Sequence, residues 1–349
     1  MKKRIFSIVG TRPQFIKAAV LSRTLKKSSK FIETIVHTGQ HFDSNMSDIF
    51  FRELAIKSPM YNLNINGKSH GQMTAHMLEA LETIFIKEKP DSVLVYGDTN
   101  STLAGALAAA KLKIPILHVE AGLRSYNKNM PEEINRVLTD HLSSLLFCPT
   151  QTSVHNLNVE GIREDVHLVG DVMYDATLYA LKLIDTNRAL KEKFVFLPEN
   201  FALLTIHREE STISLDGFQK FLNYVNSFAK QNDLKIIFSV HPRTRKFLEN
   251  SQISLNNLIL IDPLSYFEIQ FVLSRAQYVL TDSGGLQKEA YFHKVPCVTL
   301  RSETEWVETI EAGWNRLWSI EHYKSRQDIK DYGHGDAASK IVKIMEAEL

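Results

Sequence analysis

Asp98, Glu120, Glu132 and Glu133 fall in short polar segments that interrupt apolar runs. Gly97-Asp98-Thr99 follows one run, and His118-Val119-Glu120-Ala121-Gly122-Leu123-Arg124 closes the next. Met130-Pro131-Glu132-Glu133-Ile134-Asn135-Arg136 comes soon after. Carboxylates brought close raise one another's proton affinity, which suits general acid or base work. An acid in the first turn of a helix is also favoured by the macrodipole, and that alone accounts for one of Glu132 and Glu133.

Two further segments suit an anion. Gly10-Thr11-Arg12-Pro13-Gln14-Phe15-Ile16-Lys17 combines a turn-forming glycine, the free N–H groups of an opening helix, and two cations, Arg12 and Lys17. Its spacing is neither G-x-G-x-x-G nor a Walker loop, so the dinucleotide and P-loop readings fail. Thr281-Asp282-Ser283-Gly284-Gly285-Leu286-Gln287-Lys288-Glu289 places two glycines where a phosphate can approach backbone. It adds a serine hydroxyl, and Glu289 lies within reach of a ribose diol. A plain helix N-cap is the alternative for this segment. His207-Arg208-Glu209-Glu210 and His241-Pro242-Arg243-Thr244-Arg245 each end an apolar run, which points to anion contact. Neither has metal-ligand spacing, and no metal or other cofactor is expected.

These segments need a scaffold that puts strand ends side by side. The chain alternates short β-rich runs with longer helical patterns, the signature of parallel sheets with crossover helices. In the first half, strands are predicted at 4–9, 32–37, 92–96 and 114–120, with helices at 15–27, 74–87 and 101–112. The second half repeats the pattern, with strands at 201–206, 235–240, 258–261, 278–281 and 296–300. Its helices are predicted at 215–231, 267–274 and 285–292. The expected architecture is α/β with two doubly wound domains, at 1–169 and 170–330, a hinge near 167–175, and a terminal helix in 331–349. Asp98 and Glu120 should then share one sheet edge, the carboxyl end where open α/β sheets bind ligands.

Composition sets the outer bounds. At 349 residues, with 44% hydrophobic and 23% charged, the chain can bury two cores. Lys and Arg number 41 against 40 Asp and Glu, so no global field recruits nucleic acid or an anionic membrane. Cys148 and Cys297 lie far apart in apolar runs and read as buried free thiols. No window reaches the roughly 18 apolar residues of a membrane span, and the apolar run at 5–9 is too short for a signal peptide. A cytoplasmic enzyme is expected.

Taken in order, the motifs resemble the non-hydrolysing UDP-N-acetylglucosamine 2-epimerase family. The resemblance runs from Gly10-Thr11-Arg12-Pro13 through Gly97-Asp98-Thr99, His118 to Arg124, Pro131 to Arg136 and His207-Arg208-Glu209-Glu210 to Asp282 to Glu289. Gly335-Asp336-Ala337-Ala338-Ser339 looks like the family's last motif. The resemblance implies two Rossmann-like domains in a GT-B-type arrangement, an active site in the interdomain cleft, a terminal helix returning to the first domain, and a homodimer. Carried over, Arg12, His207, Ser283, Gly284, Gly285 and Glu289 would hold UDP. Lys17, Asp98, Glu120 and Glu132 would surround the sugar. Arg136 and Arg301 join the substrate-binding set, and Asp98, Glu120, Glu132 and His207 form the catalytic one.

The reaction implied interconverts UDP-GlcNAc and UDP-ManNAc, supplying surface polysaccharide precursors. C2 of such a sugar is not acidic, so the family route expels UDP across C1–C2 to a 2-acetamidoglucal and adds it back with the proton on the opposite face. No nicotinamide is needed. A hydrolysing epimerase, a GT-B glycosyltransferase and a nucleotide-sugar-binding regulator are the competing readings. Thr38-Gly39-Gln40-His41-Phe42-Asp43 and the 123–130 segment also look like family members that epimerise UDP-2,3-diacetamido-2,3-dideoxyglucuronate. Lys128 would offer a partner for its C6 carboxylate, or be a solvated loop lysine.

Overall fold

A computed structural model describes residues 2–40, 56–206, 215–240, 244–245, 247–248 and 257–349. The chain divides into two compact units, Met1–Leu178 with Lys330–Leu349, and Tyr179–Ile329.

In the first unit, β1 (Lys3–Val9), α1 (Arg12–Leu25), β2 (Phe31–His37), β3 (Tyr61–Asn62), α2 (His70–Glu88), β4 (Ser92–Tyr96), α3 (Asn100–Lys111) and β5 (Ile116–Val119) follow one another. Then come α4 (Pro131–Leu142), β6 (Leu145–Cys148), α5 (Gln151–Val159), β7 (Val166–Leu168) and α6 (Val172–Ile184), which crosses the boundary between units. The strands form one parallel sheet in the order β3-β2-β1-β4-β5-β6-β7. Phe6, Ile8, Val93 and Val95 pack against Met77, Leu81 and Phe85 of α2 and the alanines of α3. Small residues on α3 bring it close to the sheet. A Cβ on Gly105 would sit only 3.2 Å from Ile8 and 3.3 Å from Val95.

The second unit carries α7 (Arg188–Lys193), β8 (Phe201–Ile206), α8 (Leu215–Gln231), β9 (Lys235–Val240), β10 (Leu258–Ile261), α9 (Tyr266–Leu273) and β11 (Tyr278–Thr281). It continues with α10 (Gly284–Phe292), β12 (Cys297–Thr299), α11 (Val307–Glu311) and β13 (Asn315–Leu317). Its parallel sheet has the order β10-β9-β8-β11-β12-β13. Along β8 the faces alternate: Phe201 and Leu203 enter one core, Ala202, Leu204 and Ile206 the other. A strand buried on both faces reads as an unbroken apolar run, as this one does.

The final helix, α12 (Ala337–Glu348), belongs to the first unit. The Asp175 carboxylate accepts from the amides of Ala337 (3.1 Å) and Ala338 (2.9 Å), and Ser28 donates to Glu346 (2.5 Å). Both sheets carry the doubly wound order in which the first strand neighbours the fourth. The carboxyl ends of β1 and β4, and of β8 and β11, therefore flank the switch point where such sheets open a crevice.

Observed bounds depart from the predicted ones where caps decide them. α1 begins at Arg12, three residues early, because Thr11 caps it and Pro13 is tolerated in a first turn whose N–H groups have no helical acceptor. α2 begins at His70 behind a Ser69–Gln72 capping box. β5 stops at Val119 because Glu120 turns left-handed, with φ 72°. Cys148 and Cys297 are buried free thiols, and burial pushes both well above the ordinary thiol range. Among the described residues, no helix is long and apolar enough to cross a membrane.

Candidate active site

The first unit gathers its polar residues at the carboxyl ends of β1, β4 and β5. Gly10 ends β1 with no left-handed torsion. A Cβ there would lie 2.1 Å from Ser101 Oγ and 2.2 Å from Thr38 Oγ1, so close approach, more than turn geometry, requires the glycine. Gln14 then ties the two switch-point loops together. Its Oε1 accepts from the amides of Gly10 (2.8 Å) and Thr11 (3.2 Å), and its Nε2 donates to the Tyr96 carbonyl (2.8 Å) and Thr102 Oγ1 (2.9 Å).

Glu120 projects from the turn after β5 and pairs with Lys17 on α1. Their side chains are only 11% and 9% exposed. The φ of 72° is a strained value for a residue with a Cβ, worth ~1–3 kcal/mol, and such strain clusters at functional sites. Gly97, beside the pair, takes φ 60°, a torsion that calls for glycine, and a Cβ on it would only touch Glu120 Oε1 and Lys17 Nζ at an ordinary 3.4 Å. Of the two cations read for the first turn, Lys17 is thus committed to a carboxylate, while Arg12 stays partly exposed at the start of α1.

Asp98 is ion-paired with Arg136 of α4, whose other nitrogen reaches Glu133 at 3.1 Å. The Arg136 side chain is 3% exposed. It stands behind Asp98 and links that carboxylate to Glu133. Glu133 is also buried, and it accepts from the amides of Ser125 (2.9 Å) and Tyr126 (2.8 Å) and from Ser125 Oγ (2.9 Å). It is therefore the member of the acidic pair that serves the fold. Glu132 is partly exposed and makes no hydrogen bond or ion pair among the described residues.

A buried charged chain lies behind this edge. His118 on β5 is fully buried, with Nε2 2.8 Å from the Gly97 carbonyl and Nδ1 2.7 Å from Asp140 Oδ1. Asp140 Oδ2 accepts from Arg124 (2.7 Å) and the Gly122 amide (3.1 Å), and Arg124 grips Glu160 through two bonds of 2.6 and 2.7 Å. Burial works to raise the Asp140 carboxyl, but bonds and charge from His118 and Arg124 outweigh it and hold it below the usual carboxylate range.

In the second unit, Ser283 caps α10 by accepting from the Leu286 amide (3.4 Å). Its own amide donates to Thr281 Oγ1 (2.9 Å), which bonds Thr205 Oγ1 (2.6 Å). The two glycines differ. A Cβ on Gly284 would lie 2.3 Å from Glu305 Oε1, whereas one on Gly285 would meet nothing within 4 Å. Gly285 is exposed and Gly284 partly so. Glu305 is held by Arg301 at 3.0 Å, and Lys288 stands 3.7 Å from the centre of the Trp306 ring. Arg301 is thus spent largely on Glu305, with 9% of its side chain exposed, and Glu289 is buried on α10.

The structure therefore brings Lys17, Asp98, Glu120 and Arg136 together on one edge, with Glu132 in the first turn of α4. Ser283, Gly284, Gly285 and Arg301 meet on an edge of the other unit. His207, Arg208, Glu209, Glu210, His41, His241 and Arg243 lie outside the described residues. Gln14, Asp140 and Glu305 had no assigned part in the sequence reading. Asp140 sits in the last turn of α4 in no recognisable motif, and a partner 22 positions away leaves no periodic trace.

A sequence profile described as UDP-N-acetylglucosamine 2-epimerase matches residues 23–346. The chain is 50% identical, over 98% of its length and 99% of the relative's, to a Methanococcus maripaludis protein named UDP-N-acetylglucosamine 2-epimerase homolog. It is 45% identical, over 98% of its length and 99% of the relative's, to the UDP-2,3-diacetamido-2,3-dideoxy-D-glucuronate 2-epimerase of Pseudomonas aeruginosa. The crystal structure of Methanocaldococcus jannaschii UDP-GlcNAc 2-epimerase in complex with UDP-GlcNAc and UDP matches with a TM-score of 0.91 at 42% identity. That match covers 99% of this chain and 100% of that one.

Proposed function

The chain belongs to the UDP-N-acetylglucosamine 2-epimerase family, and from that premise we propose that this isomerase interconverts UDP-GlcNAc and UDP-ManNAc without hydrolysis, as a supplier of surface polysaccharide precursors. The observation that carries the reading is the placing of Asp98 and Glu120 at adjoining strand ends, each backed by a buried cation, with Glu132 showing no such partner among the described residues. Nucleotide binding falls to the second unit, through the open backbone at Gly285, the Ser283 cap and Arg301, and to Arg12 of the first. The sugar falls to Lys17, Asp98, Glu120 and Glu132.

In the forward direction the C1–O bond breaks as the C2 proton leaves to a carboxylate, and the electron pair of the C2–H bond becomes the C1–C2 double bond of a 2-acetamidoglucal. UDP departs as the anion. In return, a β-phosphate oxygen attacks C1 and a carboxylic acid delivers a proton to the other face of C2. Two faces need two proton carriers, which is why a group of carboxylates in unlike environments suits the task. Cationic and N–H donors fixed beside the departing diphosphate supply the electrostatic part.

Incubating the protein with UDP-GlcNAc in deuterated water tests this directly. Each epimerised product should carry one deuteron at C2; epimerisation with protium retained at C2 would overturn the elimination–addition route. The 45% identity to the P. aeruginosa enzyme favours a second reading, in which the sugar is UDP-2,3-diacetamido-2,3-dideoxyglucuronate. The same assay run on both sugars, compared by kcat/KM, decides between them.

A further inference from the structure

Glu120 is held in a conformation that its own side chain disfavours, so something must hold the turns on either side of it. Gly97 and Gly122 take left-handed torsions of 60° and 79°, and Glu120 takes 72°. The Gly97 carbonyl accepts from His118, and the Gly122 amide donates to Asp140. His118 and Asp140 are bonded to each other at 2.7 Å, so one buried pair touches both flanking turns. We infer that His118 and Asp140 form a positioning pair that fixes Glu120 through the Gly97 carbonyl and the Gly122 amide.

The hydrogen-bond chemistry supports the pairing. A carbonyl oxygen only accepts, so Nε2 of His118 must donate to Gly97. Asp140 also receives Arg124 and the Gly122 amide on its other oxygen, as an ionised carboxylate does. Nδ1 faces Asp140 Oδ1, so one ring spans both partners, and losing it releases the Gly97 turn, where Asp98 begins, as well as the link to Asp140. Two independent bonds near Glu120 would each tolerate small shifts. A single bridge makes the two turns move together, which keeps the carboxylate at a fixed distance from the sugar edge. The pair meets the edge through the Gly97 carbonyl and the Gly122 amide, so its action on Glu120 runs through backbone.

This inference rests on the reading of Glu120 as a member of the proton-transferring group. The test is a double-mutant cycle between His118→Asn and Glu120→Gln, read by kcat and KM for UDP-GlcNAc and, for slow variants, by deuterium entry at C2 with enzyme at substrate-level concentration. His118→Asn should lower kcat roughly 10²-fold, as a misplaced catalytic group does, with KM shifted less than about threefold. In the Glu120→Gln background the same substitution should have almost no further effect. An unchanged kcat for His118→Asn, or falls that simply add, overturns the inference while leaving Glu120 in place. A Glu120→Gln variant at the wild-type rate removes Glu120 from the chemistry, and the inference with it. Circular dichroism accompanies each variant. Where His118→Asn does not fold, Asp140→Asn takes its place in the cycle, and loss of fold in both marks a structural role and overturns the positioning one.

Discussion

Lys17 and Glu120 show how tightly one residue's role can depend on another's. Both are largely buried, so neither charge is well solvated, and each has the other as a buried counter-charge. Removing one member of such a pair takes that counter-charge from the other. Lys17→Met should therefore lower unfolding stability by about 3–5 kcal/mol in a denaturant titration, and adding Glu120→Gln should recover part of that loss. The carboxylates themselves were legible in the sequence. Asp98 and Glu120 end apolar runs, where packing gives no reason for an acid. Their counter-charges were not, because Lys17 and Arg136 sit on helices whose periodicity looks the same whether a cation faces solvent or a buried acid. Only the side-chain environment separates Glu133, bonded to backbone amides, from Glu132 beside it.

Among the elements, those with a clear apolar period announced themselves and the others did not. The strands at 201–206, 235–240, 258–261 and 278–281 and the helix at 215–231 coincide with their predicted bounds. β3, β6, α5, β7, α6, α7, α11 and β13 have no prediction, since a short run carries too little pattern to set strand apart from helix and the longer α6 starts within the expected hinge. Pairing between elements also creates chemistry unseen in sequence. His293, which follows α10, lies 2.6 Å from Gln270 of α9, and burial lowers its imidazole from 6.5 to about 4. Above pH 6.5 both folded and unfolded forms are neutral. As pH falls from 6.5 towards 4, the unfolded chain takes up a proton that the folded one refuses, so stability drops across that window and levels off below it. The shift corresponds to about 3 kcal/mol at most. Thermal unfolding between pH 7 and 4 should show the decline in the wild type and a shallower one in His293→Gln, whose amide can still donate to Gln270.

At the scale of the molecule, the first unit is discontinuous in sequence. Residues 331–349 were expected to return to it, and the described contacts join Asp175 to Ala337 and Ala338, Ser28 to Glu346, and the Asp171 amide to the Tyr332 carbonyl (3.1 Å). The boundary between the units falls after Leu178, within α6, where the sequence offers no glycine or proline to mark it. Glu120 bears on the whole molecule in another way. Its backbone would welcome glycine, and its side chain requires a buried lysine, so the site is locally frustrated and the folded state sits below its attainable stability. Glu120→Gly combined with Lys17→Met removes both conflicts, and it should raise unfolding stability by about 1–3 kcal/mol while abolishing epimerisation. Selection for stability alone would erase this glutamate, so a lineage released from the need for the reaction should drift here early, gaining robustness as it loses the enzyme.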